Sequence, residues 1–237
     1  MAMIQTLQAS DGHVFRAYSN GQSGPGLVVV QEIFGLNSHI RSVCDDWAGE
    51  GFQVLSPALF DRVDKSGEYG LELAYTPEDV RKGQALAASV GYFEAPLLDI
   101  EACLRAFPPD TPVAVLGYCW GGTLAWLSAS RLALDGIHLT ACVGYYGGMI
   151  GKLLDDVPKV PIMLHFGERD PYIPVPEVDT IRKAFPHLPI FTYDAGHGFN
   201  CDARDDFDKS AAHLARARSL QFLQRTARGD SGRGTGR

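Results

Sequence analysis

A cysteine in the stretch VLGYCWGGTLAW, residues 115–126, stands where a catalytic nucleophile could be placed. An apolar run ends at Gly117, Cys119 follows, and Gly121 opens a stretch with helical spacing. This G-x-C-x-G pattern at a strand-to-helix junction is the sulfur counterpart of the G-x-S-x-G nucleophile elbow. Glycine removes the Cβ atoms that would clash at so sharp a turn, and the N-terminus of the following helix favours a thiolate. The same cysteine could instead be a small buried hydrophobic residue, so its partners must decide.

Two later loops carry residues that could complete a catalytic triad with this cysteine. Asp170 follows the apolar run PIMLHFG, and His197 lies between two glycines after the next run, PIFTYD. Nucleophile, acid and base in that chain order are typical of α/β-hydrolases. Asp170 would orient His197, and His197 would take or give the proton of the cysteine sulfur. Asp170 could alternatively only shape a turn before Pro171, and Glu168 is a second candidate for the acid.

Composition and cysteine spacing argue against several other classes of function. The net charge of −7 argues against nucleic acid as a partner, since phosphates would be repelled. The five cysteines include no C-x-x-C pair, which argues against a disulfide framework or a structural zinc site. A metal site through His197 and Cys201 lacks an obvious third ligand, so neither a metal nor an organic cofactor is expected. We see no secretory signal and no apolar run of membrane-spanning length, and therefore expect a cytoplasmic protein without a membrane partner.

The elements that must position these residues alternate along the chain. Short apolar runs bounded by Gly, Pro or Asp predict strands at 26–30, 52–57, 113–117, 141–147, 161–167 and 189–194. Helical spacing predicts helices at 38–50, 77–90, 96–107, 121–132, 176–185 and 207–224. This alternation favours a mostly parallel central sheet with helices on both faces, which suits the α/β-hydrolase order of the triad. We expect an antiparallel edge hairpin around DGHVF, one domain over residues 1–224, and a disordered Arg/Gly-rich tail over 225–237.

Four short motifs together resemble the dienelactone hydrolase family, whose members are also called carboxymethylenebutenolidases. The motifs are QEIFGLN (31–37), GYCWGG (117–122), VGYYGG (143–148) and AGHGF (195–199). The resemblance extends from about residue 5 to about residue 224. It implies a compact α/β-hydrolase fold with a Cys–His–Asp triad and no cofactor. The matching triad positions here are Cys119, His197 and Asp170.

The resemblance also implies roles for residues around the nucleophile. Glu32 of the QEIFG motif is expected to help deprotonate the resting thiol once substrate enters. A buried carboxylate beside a thiol suits a base better than a structural ion, although a salt-bridged or exposed carboxylate is the alternative. The backbone N–H groups of Ile33 and Trp120 are expected to form the oxyanion hole. Tyr145 in the GYYG segment is expected to border the site, with packing as the alternative role.

Recognition of a substrate carboxylate is where the chain departs from the family pattern. The family uses two arginines, and Arg81 in PEDVRKGQAL best matches the first, with a surface arginine as the alternative. The second would follow the triad histidine by four positions, where this chain has Cys201. Arg204 could substitute if its loop folds inward. The departure affects which substrate is bound and not the class of reaction.

The combined prediction is a hydrolase that opens a small, anionic enol-lactone or activated carboxylic ester through the cysteine nucleophile. A thiolate suits leaving groups such as enolates, because it is itself easily expelled from a tetrahedral intermediate. Two alternatives stay open: an esterase or thioesterase of broader specificity without the full arginine pair, and a non-catalytic thiol sensor with the same fold. The chain is expected to be a monomer or a small homo-oligomer. Residues 59–77 could form either a mobile loop over the site or a rigid wall.

Overall fold

Strands and helices alternate along the chain as the apolar pattern predicts. The computed structural model describes residues 2–229. The strands are β1 (Met3–Gln8), β2 (Val14–Asn20), β3 (Gly26–Val30), β4 (Gln53–Pro57), β5 (Val113–Tyr118), β6 (Leu139–Tyr145), β7 (Ile162–Gly167) and β8 (Ile190–Tyr193). The α-helices are α1 (Ser38–Gly49), α2 (Pro77–Ser89), α3 (Glu94–Arg105), α4 (Trp120–Arg131), α5 (Val175–Ala184) and α6 (Lys209–Ala227). Two short 3-10 helices lie at Leu59–Arg62 and Ile150–Lys152.

The strands form one sheet in the order β1-β2-β4-β3-β5-β6-β7-β8. β2 pairs antiparallel with both β1 and β4, and the strands from β4 to β8 along the sheet pair parallel. The runs GLVVV in β3 and VAVLGY in β5 are buried at every position, as central parallel strands covered on both faces should be. The predicted edge hairpin around DGHVF is present, because a turn at residues 9–13 joins β1 to β2.

Helices cover both faces of this sheet. α1 and α6 contact each other on one face, where Arg216 of α6 donates a hydrogen bond to Glu50 at the end of α1 and lies over the Trp47 ring. α3 and α4 pack together on the other face. The arrangement confirms the predicted α/β-hydrolase fold, with a mostly parallel central sheet.

The final helix continues past residue 224, the predicted end of the folded domain. Thr226 is buried, and its hydroxyl donates a hydrogen bond to the Phe222 carbonyl over 3.0 Å. The prediction that disorder begins at residue 225 is therefore wrong, because the buried side of α6 still packs against the protein there. The rest of the predicted disordered tail, residues 230–237, lies outside the described residues. None of the described helices combines the length and apolar character needed to cross a membrane.

The carboxyl ends of the parallel strands lie side by side along one edge of the sheet. Val30 at the end of β3 is paired with Gly117 of β5, and Tyr118 is paired with Tyr145 at the end of β6. Tyr145 is paired in turn with His165 of β7. The loops that leave these strands therefore start close together, which is where ligands bind in open α/β sheets.

Residues 59–77 form a wall that is tied to the body of the protein. The Arg16 guanidinium pairs with the buried carboxylate of Asp61 at 2.7 Å and donates hydrogen bonds to backbone carbonyls of the same segment. Gly35 forms an isolated antiparallel bridge with Glu72. The segment thus supports the loop after β3, and of the two alternatives left open by the sequence the contacts favour the wall.

Candidate active site

The chain around Cys119 makes the sharp turn that the G-x-C-x-G pattern predicts. Cys119 has φ 54° and ψ −115°, a left-handed conformation that strains any residue with a Cβ atom. A Cβ atom on Gly117 would collide with the Gly121 carbonyl oxygen, and one on Gly121 would collide with that of Val30. The Cys119 N–H donates a hydrogen bond to the Tyr145 carbonyl over 2.9 Å. The turn therefore needs both glycines and holds the sulfur at the start of α4.

Cys119, His197 and Asp170 form a continuous chain of contacts. Sγ of Cys119 lies 3.2 Å from Nε2 of His197. Nδ1 of the same imidazole donates a hydrogen bond to Oδ2 of Asp170 over 2.7 Å. The other Asp170 oxygen accepts hydrogen bonds from the backbone N–H groups of Tyr172 (2.8 Å) and Ile173 (3.2 Å), which fix the carboxylate. The histidine and the aspartate are buried, whereas the cysteine is half-buried.

The imidazole of His197 is placed to hold a proton at neutral pH. Burial lowers its pKa, but the negative charge of the Cys119 thiolate and the hydrogen bond to Asp170 outweigh burial and raise the pKa to about 10. A carboxylate can only accept a hydrogen bond, so Nδ1 carries a proton in either protonation state.

Glu32 lies in the loop after β3 with its carboxylate fully buried. Neither carboxylate oxygen has a hydrogen-bond partner in the described part of the chain, and Nη1 of Arg204 lies 3.7 Å from Oε1. Burial, and then the charge of Glu32, raise the pKa of the Tyr146 hydroxyl. Within residues 2–229 the carboxylate of Glu32 is therefore left with this longer contact to Arg204 and no hydrogen bond.

A cavity of about 240 Å³ opens in front of the cysteine. Its walls are mostly apolar and come from the loop after β3, from α2, and from the loops at the carboxyl edge of the sheet. The lining residues are Ile33, Phe34, Val80, Gln84, Ala87, Tyr92, Cys119, Trp120, Thr123, Gly148, Met149, Tyr172, His197 and Arg204. Such a cavity suits a small, mainly apolar ligand that carries a few polar groups.

Two residues that line this cavity have a backbone N–H group without a hydrogen-bond partner among the described residues. Ile33 and Trp120 both line the cavity, and neither backbone N–H donates a hydrogen bond to another backbone or side-chain group within residues 2–229. Helix α2 fixes the first, because Gly83 packs so closely that a Cβ atom there would collide with the Ile33 carbonyl. The Trp120 indole donates a hydrogen bond to the Tyr92 carbonyl over 2.8 Å and stacks on the ring of Phe60. Both residues are therefore held in place at the cavity that Cys119 also lines.

Arg204 reaches the cavity because its loop folds back over the triad histidine. The Cys201 N–H donates a hydrogen bond to the Gly198 carbonyl (2.9 Å), and the Arg204 N–H donates one to the Cys201 carbonyl (3.1 Å), so two turns reverse the chain. Gly198 has φ +81°, and a Cβ atom there would lie 2.7 Å from the guanidinium carbon of Arg204. Among the residues that the structure describes, Arg204 is the only Lys or Arg that lines this cavity. The loop of Arg204 thus folds inward, which is the condition under which this arginine could replace the one expected at Cys201.

Comparisons with known proteins decide the family. The model of the dienelactone hydrolase family matches residues 13–227. The chain belongs to the dienelactone hydrolase family. It is 35% identical over 213 residues to the carboxymethylenebutenolidase of Pseudomonas sp. strain P51, with 85% of each chain covered. It is 32% identical over 234 residues to that of Pseudomonas putida, with 92% of this chain and 94% of the relative covered.

A solved structure supports the same assignment of this chain to the dienelactone hydrolase family. A crystal structure from Klebsiella pneumoniae subsp. pneumoniae, classed with the dienelactone hydrolases, is 26% identical to the chain. The two superpose with a TM-score of 0.77 over 94% of this chain and 99% of the other. The family makes the protein a hydrolase of esters or lactones.

The structure does not bring Arg81 into the cavity of this dienelactone hydrolase family member. Val80 and Gln84 line the cavity from α2, whereas Arg81 is exposed. Successive residues are about 100° apart around a helix, so the residue after Val80 turns towards solvent. The prediction that Arg81 binds substrate is therefore not supported. Glu168, the alternative acid, is also exposed, and Asp170 is the carboxylate that meets the histidine.

Tyr145 and Tyr146 are both buried in the core, and of these two Tyr146 is the one whose ring lies beside His197. The Tyr145 hydroxyl and Ser219 Oγ of α6 are hydrogen-bonded at 2.8 Å, so packing, the alternative role, describes it. The Tyr146 ring centroid lies 5.0 Å from that of His197. Tyr146 has φ 37°, which breaks the alternation of β6 just past its last residue and redirects the side chain. The two tyrosines of GYYG are equivalent in sequence, and only the backbone turn separates their roles.

Proposed function

We propose that the protein hydrolyses a small, anionic enol-lactone or activated carboxylic ester, with Cys119 as the nucleophile of a Cys–His–Asp triad. One observation carries the proposal: the chain of contacts from Asp170 through His197 to Cys119 ends at a mostly apolar cavity. Arg204 on the cavity wall supports a substrate that bears a carboxylate. The relatives from Pseudomonas, which are carboxymethylenebutenolidases, support the same substrate class.

The first half of the proposed reaction transfers the acyl group to sulfur. The Cys119 thiolate forms a bond to the carbonyl carbon, and the carbonyl oxygen takes up the negative charge. The N–H groups of Ile33 and Trp120 bind that oxyanion. The intermediate collapses, the ring or ester C–O bond breaks, and the His197 imidazolium gives its proton to the departing oxygen. An enolate leaves readily enough to compete with expulsion of the thiolate.

The second half hydrolyses the thioester. Neutral His197 removes a proton from a water molecule while the water oxygen attacks the thioester carbonyl. The new tetrahedral intermediate collapses with loss of the Cys119 thiolate and release of the carboxylic acid. The imidazolium–thiolate pair is thereby restored.

Glu32 acts before this cycle in the proposed scheme. A Cys119 side chain that rests as a thiol must lose its proton before it can attack. The Glu32 carboxylate is buried and lacks a hydrogen-bond donor within residues 2–229, and it lies 3.7 Å from Arg204, which lines the same cavity as the sulfur. It is therefore the group proposed to take that proton.

Substitution of the nucleophile tests the proposal. Purified wild type, Cys119→Ala and Cys119→Ser are assayed with a dienelactone and with an uncharged aryl ester. We expect Cys119→Ala to lower kcat/KM about a thousandfold or more for any substrate that the wild type hydrolyses, because the attacking atom is lost. Cys103→Ser is the matched control, since it removes a buried thiol of α3 that does not line the cavity. Full activity in Cys119→Ala would contradict the assigned nucleophile.

A broader esterase is the second candidate function, and the exposed position of Arg81 favours it. Among the described residues, Arg204 is the only Lys or Arg that lines the cavity. The site therefore has one of the two arginines expected to bind a substrate carboxylate. The ratio of kcat/KM for a carboxylated and an uncharged form of the same enol ester separates the two functions. A preference of about tenfold or more for the carboxylated form supports the anionic substrate. A preference for the uncharged form indicates the broader esterase. If the wild type hydrolyses neither form and Cys119→Ala still binds ligand normally, the protein is a thiol sensor.

A further inference from the structure

A second cluster of reactive side chains lies beside the triad. Donor atoms of Glu32, His39 and Cys201 all lie within 4.8 Å of one another, and the three residues are buried. They come from three separate elements: the loop after β3, the first turn of α1, and the loop after β8. We propose that these three side chains bind a thiophilic divalent cation such as Zn²⁺.

Unpaired acceptors in the cluster support a bound cation. Both oxygens of Glu32 and Nε2 of His39 are buried without a hydrogen-bond partner among the described residues. Nδ1 of His39 lies 3.2 Å from Oδ1 of Asp202. Because a carboxylate accepts and does not donate, Nδ1 carries a proton, and in the neutral imidazole Nε2 then has the lone pair that a metal would bind. Buried acceptors without donors are costly, and one cation would satisfy groups on two residues at once.

The surroundings of His39 and Cys201 match those of metal ligands. A histidine that binds a metal through one ring nitrogen commonly donates its other N–H to a carboxylate, as His39 does to Asp202. The Cys201 thiol now donates a hydrogen bond to the Tyr75 hydroxyl over 3.3 Å. When the sulfur–metal bond forms, the thiol proton passes to solvent. The Tyr75 hydroxyl then still lies beside the Cys201 sulfur.

Sulfur, imidazole and carboxylate donors identify the kind of cation. This donor set suits Zn²⁺ and not Mg²⁺ or Ca²⁺, which prefer oxygen ligands alone. Donor atoms in a tetrahedral zinc site lie about 3.5 Å apart, so side-chain shifts of about 1 Å would close the set. Glu32 and deprotonated Cys201 are two anionic ligands, and their charge matches that of a divalent cation.

A separate cavity gives an ion a path to the cluster. A cavity of about 230 Å³ lies between α1 and α6, and both His39 and Asp202 line it. Cys119 and His197 line the other cavity, in front of the nucleophile. An ion can thus approach His39 from a cavity other than the one that Cys119 and His197 line.

An ion at this cluster would inhibit hydrolysis. The cation would hold the Glu32 carboxylate, which could then not take a proton from Cys119. This consequence rests on the proposed role of Glu32, whereas binding itself does not. Activity and binding are therefore measured separately.

Cobalt is the probe for binding, because a thiolate bound to Co²⁺ gives a charge-transfer absorption in the near ultraviolet. We expect protein dialysed against a chelator to bind one Co²⁺ per chain with this absorption, and Zn²⁺ to displace it. The absorption should persist in Cys119→Ser, which removes the other candidate thiolate, and vanish in Cys201→Ser. Asp202→Asn should weaken binding about 10- to 100-fold, and the Asp202 side chain is 76% exposed, so folding is unaffected. Loss of the absorption in Cys119→Ser with retention in Cys201→Ser, or its absence from the wild type, would overturn the proposal.

The activity arm separates this site from the proposed function. Zn²⁺ at a concentration that saturates the cluster should lower kcat/KM in the wild type and have a weaker effect in Asp202→Asn. Binding at Cys201 without any inhibition supports the metal site and contradicts the role proposed for Glu32. Inhibition that is unchanged in both Cys201→Ser and Asp202→Asn places the inhibitory ion elsewhere and overturns the regulatory part of the inference.

Discussion

Cys119 and His197 lie 3.2 Å apart, and that contact sets the protonation state of the imidazole. Because the pKa of His197 is raised to about 10, the imidazolium is the main form at neutral pH and below. It is lost as the pH rises through about 10. Cys119→Ala removes a negative neighbour and a hydrogen bond, so we expect the pKa of His197 to fall towards the ordinary 6.5. Titration of the imidazole by NMR measures this shift. An unchanged pKa in Cys119→Ala would mean that the sulfur does not share charge with the histidine.

Arg204 and Arg81 make a matched pair of guanidinium groups, one in the cavity and one exposed. We expect Arg204→Met to raise KM for a carboxylated substrate about 10- to 100-fold, because a charged hydrogen bond of about 1.5–3 kcal/mol is lost. The uncharged ester should show little change. Arg81→Met should leave both values within twofold, and a larger loss there than in Arg204→Met would reverse the assignment.

At the level of elements, the loop after β8 positions both the histidine and the arginine. Gly198→Ala and Gly12→Ala each place a side chain at positive φ, which we expect to cost about 1–2 kcal/mol of the free energy of unfolding. Only the Gly198 methyl would meet Arg204, at 2.7 Å, since nothing lies within 4 Å of the corresponding position at Gly12. Denaturant unfolding should therefore give similar losses, while kcat/KM falls in Gly198→Ala alone. Equal activity in the two variants would show that the loop tolerates a displaced Arg204.

At the level of the whole molecule, Arg62 joins the edge hairpin to the helical layer. Its guanidinium donates hydrogen bonds to Asp99 of α3 (2.8 and 2.9 Å) and to Asp11 in the β1–β2 turn (2.8 Å). The Asp99 side chain is fully buried, so Arg62→Ala leaves it without its cation, and we expect a loss of about 3 kcal/mol. Arg182→Ala, which breaks an exposed pair with Asp179, should cost under about 0.5 kcal/mol.

The pH dependence of that loss follows from Asp99. Burial outweighs the pairing with Arg62 and raises the pKa of Asp99 to about 7, above its ordinary value of 3.8. A folded state that holds the proton more tightly than the unfolded state loses stability as the pH rises between those two values. The effect of Arg62→Ala should therefore be larger at pH 8 than at pH 5, as measured by urea unfolding. An equal loss at both values would mean that Asp99 stays ionised throughout.

The sequence by itself determined the fold and the order of the triad. The spacing of apolar residues within a short stretch of sequence indicates which side of a strand or helix will be buried. The strands and helices therefore appear within a few residues of their predicted bounds. The elbow at Cys119 and the glycines around His197 are also local signals, and the structure brings His197 into contact with both Cys119 and Asp170.

Tertiary structure alone decided which neighbours of these residues face the cavity. Val80 and Arg81 differ by one position, yet Val80 lines the cavity and Arg81 is exposed to solvent. Tyr145 and Tyr146 are both buried, and the backbone turn at Tyr146 places only that ring beside His197. Two consecutive turns bring Arg204 to the cavity, and no short sequence motif predicts them. The cluster of Glu32, His39 and Cys201 was invisible in the sequence for the same reason, since its members come from three distant segments that meet only when the sheet edge and α1 are in place.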